Sequence, residues 1–242
     1  MDLRKILLVI VLSCPLLVFA QQETVRHYQK VDHKPFHFGY TLGINTMDFS
    51  IYPSKYAIKS SPLDTFPELN RLFPGVDIGI VTNFRLGEYF DLRLLPGISL
   101  GQRNLLFYEQ ARTDSAKPFT EMRLGSTFIN LPVILRYEAQ REKNYRPYLI
   151  LGTNFRWDMA RNKDFNDDEG IYVKLKPFDI YLEGGIGIDF YLPYFKLSTE
   201  LKLSVGMLNV LSPDKPEGVN AGFVRSIDKL NSRVVSLSFH FE

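Results

Sequence analysis

Apolar and polar residues alternate strictly along two adjacent stretches of the chain, residues 179–190 and 195–205, with a short Tyr-Leu-Pro-Tyr sequence between them. The apolar positions are Ile180, Leu182, Ile186, Ile188 and Phe190 in the first stretch and Phe195, Leu197, Leu201, Leu203 and Val205 in the second. Side chains along a strand point to opposite faces in turn, so the pattern predicts a β-hairpin with one apolar and one charged face.

The same alternation recurs in six other stretches, which predict strands at 36–45, 76–85, 90–101, 129–137, 148–158 and 235–241. The connections between the eight predicted strands are long and short in turn, beginning and ending with a long one. This order is typical of outer-membrane barrels, with short periplasmic turns, long extracellular loops and both termini in the periplasm. Residues 35–242 are therefore predicted to form an all-β, eight-stranded antiparallel up-and-down transmembrane β-barrel.

Aromatic residues gather at the ends of the strands that the short turns join, and we expect them to form a periplasmic girdle: Tyr89, Tyr137, Tyr145, Tyr191, Tyr194, Phe195, Phe239 and Phe241. Amphipathic rings at one height are typical of a membrane–water interface. A soluble barrel with its apolar face inward is the alternative. Because the charged face is also rich in glycine, which suits the narrow interior of eight strands, the pattern favours the membrane barrel.

With the apolar face in lipid, the charged side chains of both signs face the lumen: Asp77, Arg85, Asp91, Arg93, Arg136, Arg156, Asp179, Glu183, Asp189, Lys196, Glu200 and Lys202. Buried charges need partners, so we expect a salt-bridged network that closes the lumen. A charge-selective aqueous pore is the alternative.

The hairpin of residues 179–205 suggests particular ion pairs. Pairing it about Leu192-Pro193 places Asp189 opposite Lys196 and Glu183 opposite Lys202. The residues leave this register open, because proline is disfavoured at the second position of such a turn.

The first twenty residues have the pattern of a secretory signal peptide, with Arg4 and Lys5 before an apolar core and a small-residue cleavage site between Ala20 and Gln21. Cys14 is the one cysteine of the chain, and its lipidation at a lipobox is the alternative. Cleavage would leave a mature chain that has neither disulfides nor thiols. Residues 21–34 are expected to be a short periplasmic lead-in.

Composition and motifs argue against several classes of function. The 29 Lys and Arg residues nearly balance 27 Asp and Glu without a basic block, which argues against a nucleic-acid partner. The sequence shows no Ser, His and acid cluster, glycine-rich phosphate loop, paired-cysteine motif or HExxH, so we expect neither an enzyme nor a cofactor. Barrel closure is expected to bring His37 towards His240, but a third metal ligand is not evident, so no metal site is predicted.

Five runs together resemble the PorT family of outer-membrane proteins: FHFGYTLGINTMDFSI (36–51), LGEYFDLRLLPGISLGQR (86–103), FINLPVILRYE (128–138), RPYLILGTNFRWDM (146–159) and DIYLEGGIGIDFYLPYFKLSTELKLSVGMLNVL (179–211). The LGEYFDLR–LPG and DFYLPYFKLS runs are the most specific. The resemblance covers nearly all of the mature chain but not the long loops, especially 52–72 and 160–176.

This resemblance implies a component of the type IX secretion machinery, which exports cargo across the outer membrane and in some bacteria supports gliding motility. The implied partners are outer-membrane lipid, translocon or periplasmic subunits of that machinery, and secreted cargo. The family has no established catalytic residues to carry over. A small-solute porin and an outer-membrane hydrolase are the alternative functions.

Overall fold

The computed structural model describes residue 27 and residues 34–54, 65–68, 73–109, 120–159, 174–212 and 227–242. The predicted signal peptide, its cleavage site and most of the predicted lead-in lie outside the described residues. Among the described residues, no helix is long and apolar enough to cross a membrane.

The described residues include ten strands: β1 Phe36–Pro53, β2 Thr65–Glu68, β3 Pro74–Arg85, β4 Phe90–Leu94, β5 Gly97–Glu109, β6 Thr120–Glu138, β7 Tyr145–Asp158, β8 Phe178–Tyr191, β9 Lys196–Gly206 and β10 Ile227–Phe241. Every pairing between them is antiparallel. Several strands are longer than the alternation predicted, since β1, β5, β6 and β10 extend into segments expected to be loop.

The sheet closes on itself, because β1 pairs with β10 on one side and with β3 on the other. β4 and β5 together occupy one strand position of the barrel, and we call each such position a stave. Both pair with β3 and with β6, and the register is unchanged across Leu95 and Pro96, which separate them. Proline lacks the N–H that the ladder needs at that point. The ring thus has eight staves, with β2 paired to β5 beside it, and the predicted fold class is confirmed.

The ring has two different ends. Three short connections, residues 86–89, 139–144 and 192–195, lie at what we call the turn side, and the strand ends that the long connections join lie at the other end, the loop side. Between them, outward-facing apolar side chains such as Ile44 and Leu151 are 57% and 61% exposed. The inward-facing Glu183 is 0% exposed. The apolar face is therefore the outer one.

An apolar cluster, which we call the roof, fills the barrel at the loop side. It consists of the buried side chains of Phe49, Leu105, Leu175, Val210, Ile227 and Leu230. Two segments outside the strands contribute to it: Leu175 bridges to Leu211, and the Val210 N–H donates to the Leu230 carbonyl at 2.9 Å. The roof lies over the polar lumen, because the Arg103 guanidinium is 4.4 Å from the centre of the Phe49 ring.

Candidate functional site: the packed lumen and its turn-side end

Glu242 joins two cations at the turn-side end of the lumen. One of its carboxylate oxygens lies 2.5 Å from Arg93 Nη2, and the other lies 2.8 Å from Lys196 Nζ. The second terminal nitrogen of Arg93 is 3.8 Å from Glu200. The Arg93 and Glu200 side chains are both 0% exposed, so these charges are neutralised by one another rather than by water.

Arg136 forms a second group beside the first. Its Nη2 lies 2.8 Å from Asp189 and 3.1 Å from Glu138, and Arg146 reaches the other oxygen of Glu138 at 2.6 Å. The Arg136 guanidinium also lies 3.8 Å from the centre of the Tyr148 ring, within range of a cation–π interaction. A fully buried guanidinium is thus held by two carboxylates and one aromatic face.

Glu183 is the centre of a third group of charges, which forms the middle layer of the lumen between the turn-side end and the roof. It accepts hydrogen bonds from Asn154 at 2.8 Å and Ser204 at 2.9 Å, and it lies 3.1 Å from Lys202 Nζ and 3.4 Å from Arg156 Nη2. Two cations and two neutral donors therefore surround one carboxylate.

Arg103 forms the layer below the roof. It lies 3.0 Å from Asp158 and donates hydrogen bonds to Ser126 at 2.5 Å and Ser232 at 3.2 Å. Its guanidinium is 5.0 Å from the centre of the Phe128 ring. This arginine joins the polar lumen to the apolar roof.

The predicted lumen residues have the following positions. Ten of the twelve are buried: Asp91, Arg93, Arg136, Arg156, Asp179, Glu183, Asp189, Lys196, Glu200 and Lys202. The other two are half-buried. Asp77 accepts hydrogen bonds from Asn45 at 2.7 Å and from Ser99, and Arg85 Nε donates to the Gly87 carbonyl at 2.9 Å at the turn side.

The predicted register of the β8–β9 hairpin is wrong by two residues. Asp189 lies opposite Ser198 and Glu183 opposite Ser204, because the connection has four residues, 192–195, rather than two. Lys202 nevertheless reaches Glu183 diagonally from its position opposite Gly185.

The register also changes the partners of the other predicted pair. Asp189 binds Arg136 and accepts a hydrogen bond from Ser198, whereas Lys196 binds Glu242.

Five charged residues of the network are absent from the predicted set: Asp158, Arg103, Glu138, Arg146 and Glu242. Asp158 ends the predicted strand 148–158, and each of the other four continues the inward-facing alternation of a predicted strand by one step beyond the end assigned to it. Extending the alternation by one step at each strand end would have found all four.

Of the eight residues of the predicted aromatic girdle, five are exposed, two are half-buried and one is buried. Tyr137, Tyr145, Tyr194, Phe195 and Phe239 are exposed, and Tyr89 and Phe241 are half-buried. Tyr191 is only 3% exposed, and its ring lies 3.6 Å from the guanidinium carbon of Arg141. It takes the inward position of the β8 alternation after Asp189, so its place in an outward-facing girdle was wrongly predicted.

The two inward-facing histidines do not meet. His240 lies opposite Thr41, and His37 is four residues further along β1, a distance of about 13 Å along the strand. His240 Nε2 is instead 3.5 Å from Glu200. In the part of the chain that the structure describes, no three His, Cys, Asp or Glu residues are grouped so that they could hold a metal ion.

The paired charges thus fill and neutralise the lumen, and the outer surface around it is apolar. A closed ring of eight antiparallel staves with an apolar exterior and a paired polar interior defines an outer-membrane β-barrel. The chain belongs to the family described as the outer membrane protein beta-barrel domain, whose family model matches residues 19–212. It is therefore a protein of the bacterial outer membrane.

Several solved structures are similar to this chain. Neisserial surface protein A is 11% identical, with a TM-score of 0.41 over 86% of this chain and 98% of that one. OprG from Pseudomonas aeruginosa is 14% identical, with a TM-score of 0.45 over 84% and 93%. Ail from Yersinia pestis is 12% identical, with a TM-score of 0.38 over 86% and 99%. No curated protein matches the sequence.

Proposed function

We propose that this barrel is a non-enzymatic component of the type IX protein secretion machinery, of the PorT kind, which supports the export of cargo proteins through protein–protein contacts. Both termini and the turn side face the periplasm in this proposal. Support for gliding motility belongs to the same proposal, since it depends on the same machinery.

The observation that carries the proposal is the position of the two most PorT-like runs. Residues 86–93 form the first turn and most of β4, and residues 189–198 form the β8–β9 turn with its flanking residues. Distant in sequence, they come together around Glu242, which binds Arg93 from one run and Lys196 from the other. The most family-specific sequence therefore builds one structure, the turn-side end of the barrel.

Packing of the lumen supports a function carried by surfaces rather than by a pore. Arg93, Arg136 and Glu200 are each 0% exposed where a solute would have to pass. On the loop side the roof fills the barrel. A small-solute porin predicts discrete conductance steps in planar bilayers, and we expect none from the purified protein.

The turn side also presents exposed apolar side chains where a periplasmic partner would meet it. Tyr194, at the tip of the β8–β9 turn, is 87% exposed, and Leu86, in the first turn, is 61% exposed. Tyrosine is enriched at protein interfaces because it combines a large apolar area with a polar tip.

A deletion strain tests the proposal. We expect it to lose type IX cargo from the medium, and wild-type protein to restore secretion. Replacing Leu86 and Tyr194 together with serine should reduce this rescue, whereas Met207→Ser, which is 58% exposed on the loop side, should not. Each variant is first shown to be folded by its heat-modifiable gel mobility. Normal secretion by the deletion strain would refute the proposed function, and equal rescue by both variants would refute the role of the turns.

A further inference from the structure

A groove crosses the outer surface of β6 to β10, just inside the turn-side aromatics. It has a volume of about 760 Å³, and its lining is almost wholly apolar. The strand register explains its origin. The Ala139 N–H donates to the Pro147 carbonyl at 3.0 Å, Pro147 lies opposite Ile188, and Ile188 lies opposite Thr199. Three of these four neighbouring side chains are small, so this cross-strand row forms a floor.

Larger side chains form the two walls. On the loop side, the adjacent row places Leu149 opposite Ile186 and Ile186 opposite Leu201. On the turn side, Phe190 lies opposite Tyr145. Leu149, Ile186 and Leu201 are 54%, 58% and 50% exposed, so the wall stands out from the barrel.

The width and surroundings of the groove decide what fits. The two walls are four residues apart along each strand, about 13 Å between backbones, and their own side chains occupy part of that distance. An α-helix with side chains is about 10–12 Å across and does not fit. An extended peptide would carry unpaired backbone groups into the hydrocarbon, which costs several kcal/mol for each group. An acyl chain is narrow and apolar along its whole length.

The end of the groove also suits a lipid. At Ala139 it opens onto the turn of residues 139–144, which carries the exposed Lys143. A lysine at the membrane surface attracts anionic lipid headgroups. We propose that the groove is a binding site for one acyl chain of a phospholipid from the turn-side leaflet, with the headgroup beside this turn. The site rests on the proposed orientation of the turn side towards the periplasm, but not on the proposed secretion function.

The test is to fill the floor. Thr199→Phe places a ring in the groove, and Thr153→Phe, at an exposed outward-facing position of β7 away from the groove, is the matched control. Each protein is inserted into nanodiscs of phosphatidylethanolamine and phosphatidylglycerol, checked for heat-modifiable mobility and released into native mass spectrometry. We expect Thr199→Phe to retain about fivefold less lipid than the wild type, a difference of about 1 kcal/mol, and Thr153→Phe to match the wild type.

Equal retention by all three proteins would mean an adventitious annular lipid only and would overturn the proposal. Equal loss in both variants would overturn it too, because the effect would not be local. A photoreactive residue at position 199 in native membranes identifies the occupant directly. Crosslinks to phospholipid are expected. A crosslink to protein would show that a protein partner occupies the groove and would refute the lipid site.

Discussion

Removing the charge of Glu183 should destabilise the barrel strongly, although the side chain touches neither lipid nor bulk water. The substitution Glu183→Gln keeps the size of the side chain and an oxygen that can accept a hydrogen bond. It leaves Lys202 and Arg156, now 3.1 Å and 3.4 Å from a neutral group, without their shared anion. Breaking a buried pair by removing one partner costs about 3–5 kcal/mol. We expect a loss of about 3 kcal/mol in the free energy of unfolding.

A second substitution separates this charge effect from lost packing. Lys202→Met in the Glu183→Gln background removes one cation and restores the balance of charge. The double variant should be more stable than Glu183→Gln alone, with a coupling energy of about 2 kcal/mol, because replacing both members of a buried pair is often nearly neutral.

Urea unfolding in lipid vesicles measures these differences. The fluorescence of Trp157, the one tryptophan of the chain, follows its transfer from lipid to water. Glu142→Gln, in an exposed turn where the carboxylate accepts a 2.8 Å hydrogen bond from Tyr145, is the control and should change stability by less than about 0.5 kcal/mol. Additive effects of the two lumen substitutions would refute the reasoning, as would a Glu183→Gln protein as stable as the control.

Two further substitutions test the interior and the exterior separately. A methyl group at Gly187 would overlap the ring of Tyr148, whereas one at Gly184 on the same strand meets only a carbonyl oxygen at 3.9 Å. Gly187→Ala should therefore cost about 1–3 kcal/mol in urea unfolding, with Gly184→Ala close to neutral. Leu151→Arg, on the lipid face, should cost about 2–4 kcal/mol in vesicles. Tyr194→Arg, at an exposed turn tip, should cost less than about 0.5 kcal/mol, and equal costs would contradict the placement of Leu151 in the hydrocarbon.

The number of staves and the direction of each face were predictable from the sequence because both follow from a period of two. Along β8, the alternation that places Ile186 outward also places Glu183 and Asp189 inward, and the barrel preserves this assignment through every pairing. The short connections mark the ends of the staves. The interruption at Pro96 divides one ladder but moves no residue to another face.

The register of the β8–β9 hairpin was not predictable in the same way. A slip of one residue would exchange the two faces, and the alternation excludes it. A slip of two residues keeps every side chain on its face, so the pattern cannot distinguish Ser198 from Lys196 opposite Asp189. The four-residue turn decides between them, and its conformation does not follow from alternation.

Strand ends on the loop side were misjudged for a different physical reason, which β1 shows most clearly. Its outward positions are apolar up to Ile44. Beyond Thr46 the apolar residues take the inward positions instead, since Met47 and Phe49 are buried and the polar Asp48 lies between them. An alternation that breaks in this way looks like the end of a strand. The strand continues, but its outer face has left the hydrocarbon and faces water, so the apolar side chains turn to the roof instead.

The same reversal on β10 fixes the height at which the hydrocarbon ends. There Val235 is exposed and apolar on the outside, whereas Arg233 is exposed and Val234 is buried. The register places Thr46, where the apolar residues of β1 pass from the outer to the inner face, directly opposite Val235. Two neighbouring strands therefore make this change at one level. The apolar outer positions of β1 from Phe36 to Ile44 span about 27 Å along the strand, or about 19 Å along the membrane normal at a tilt of about 45°. With the side chains at either end, this approaches the apolar band of about 25 Å typical of outer-membrane barrels. The roof is thus the core of a water-exposed extension, and the charged lumen is the part of the barrel that lies within the membrane.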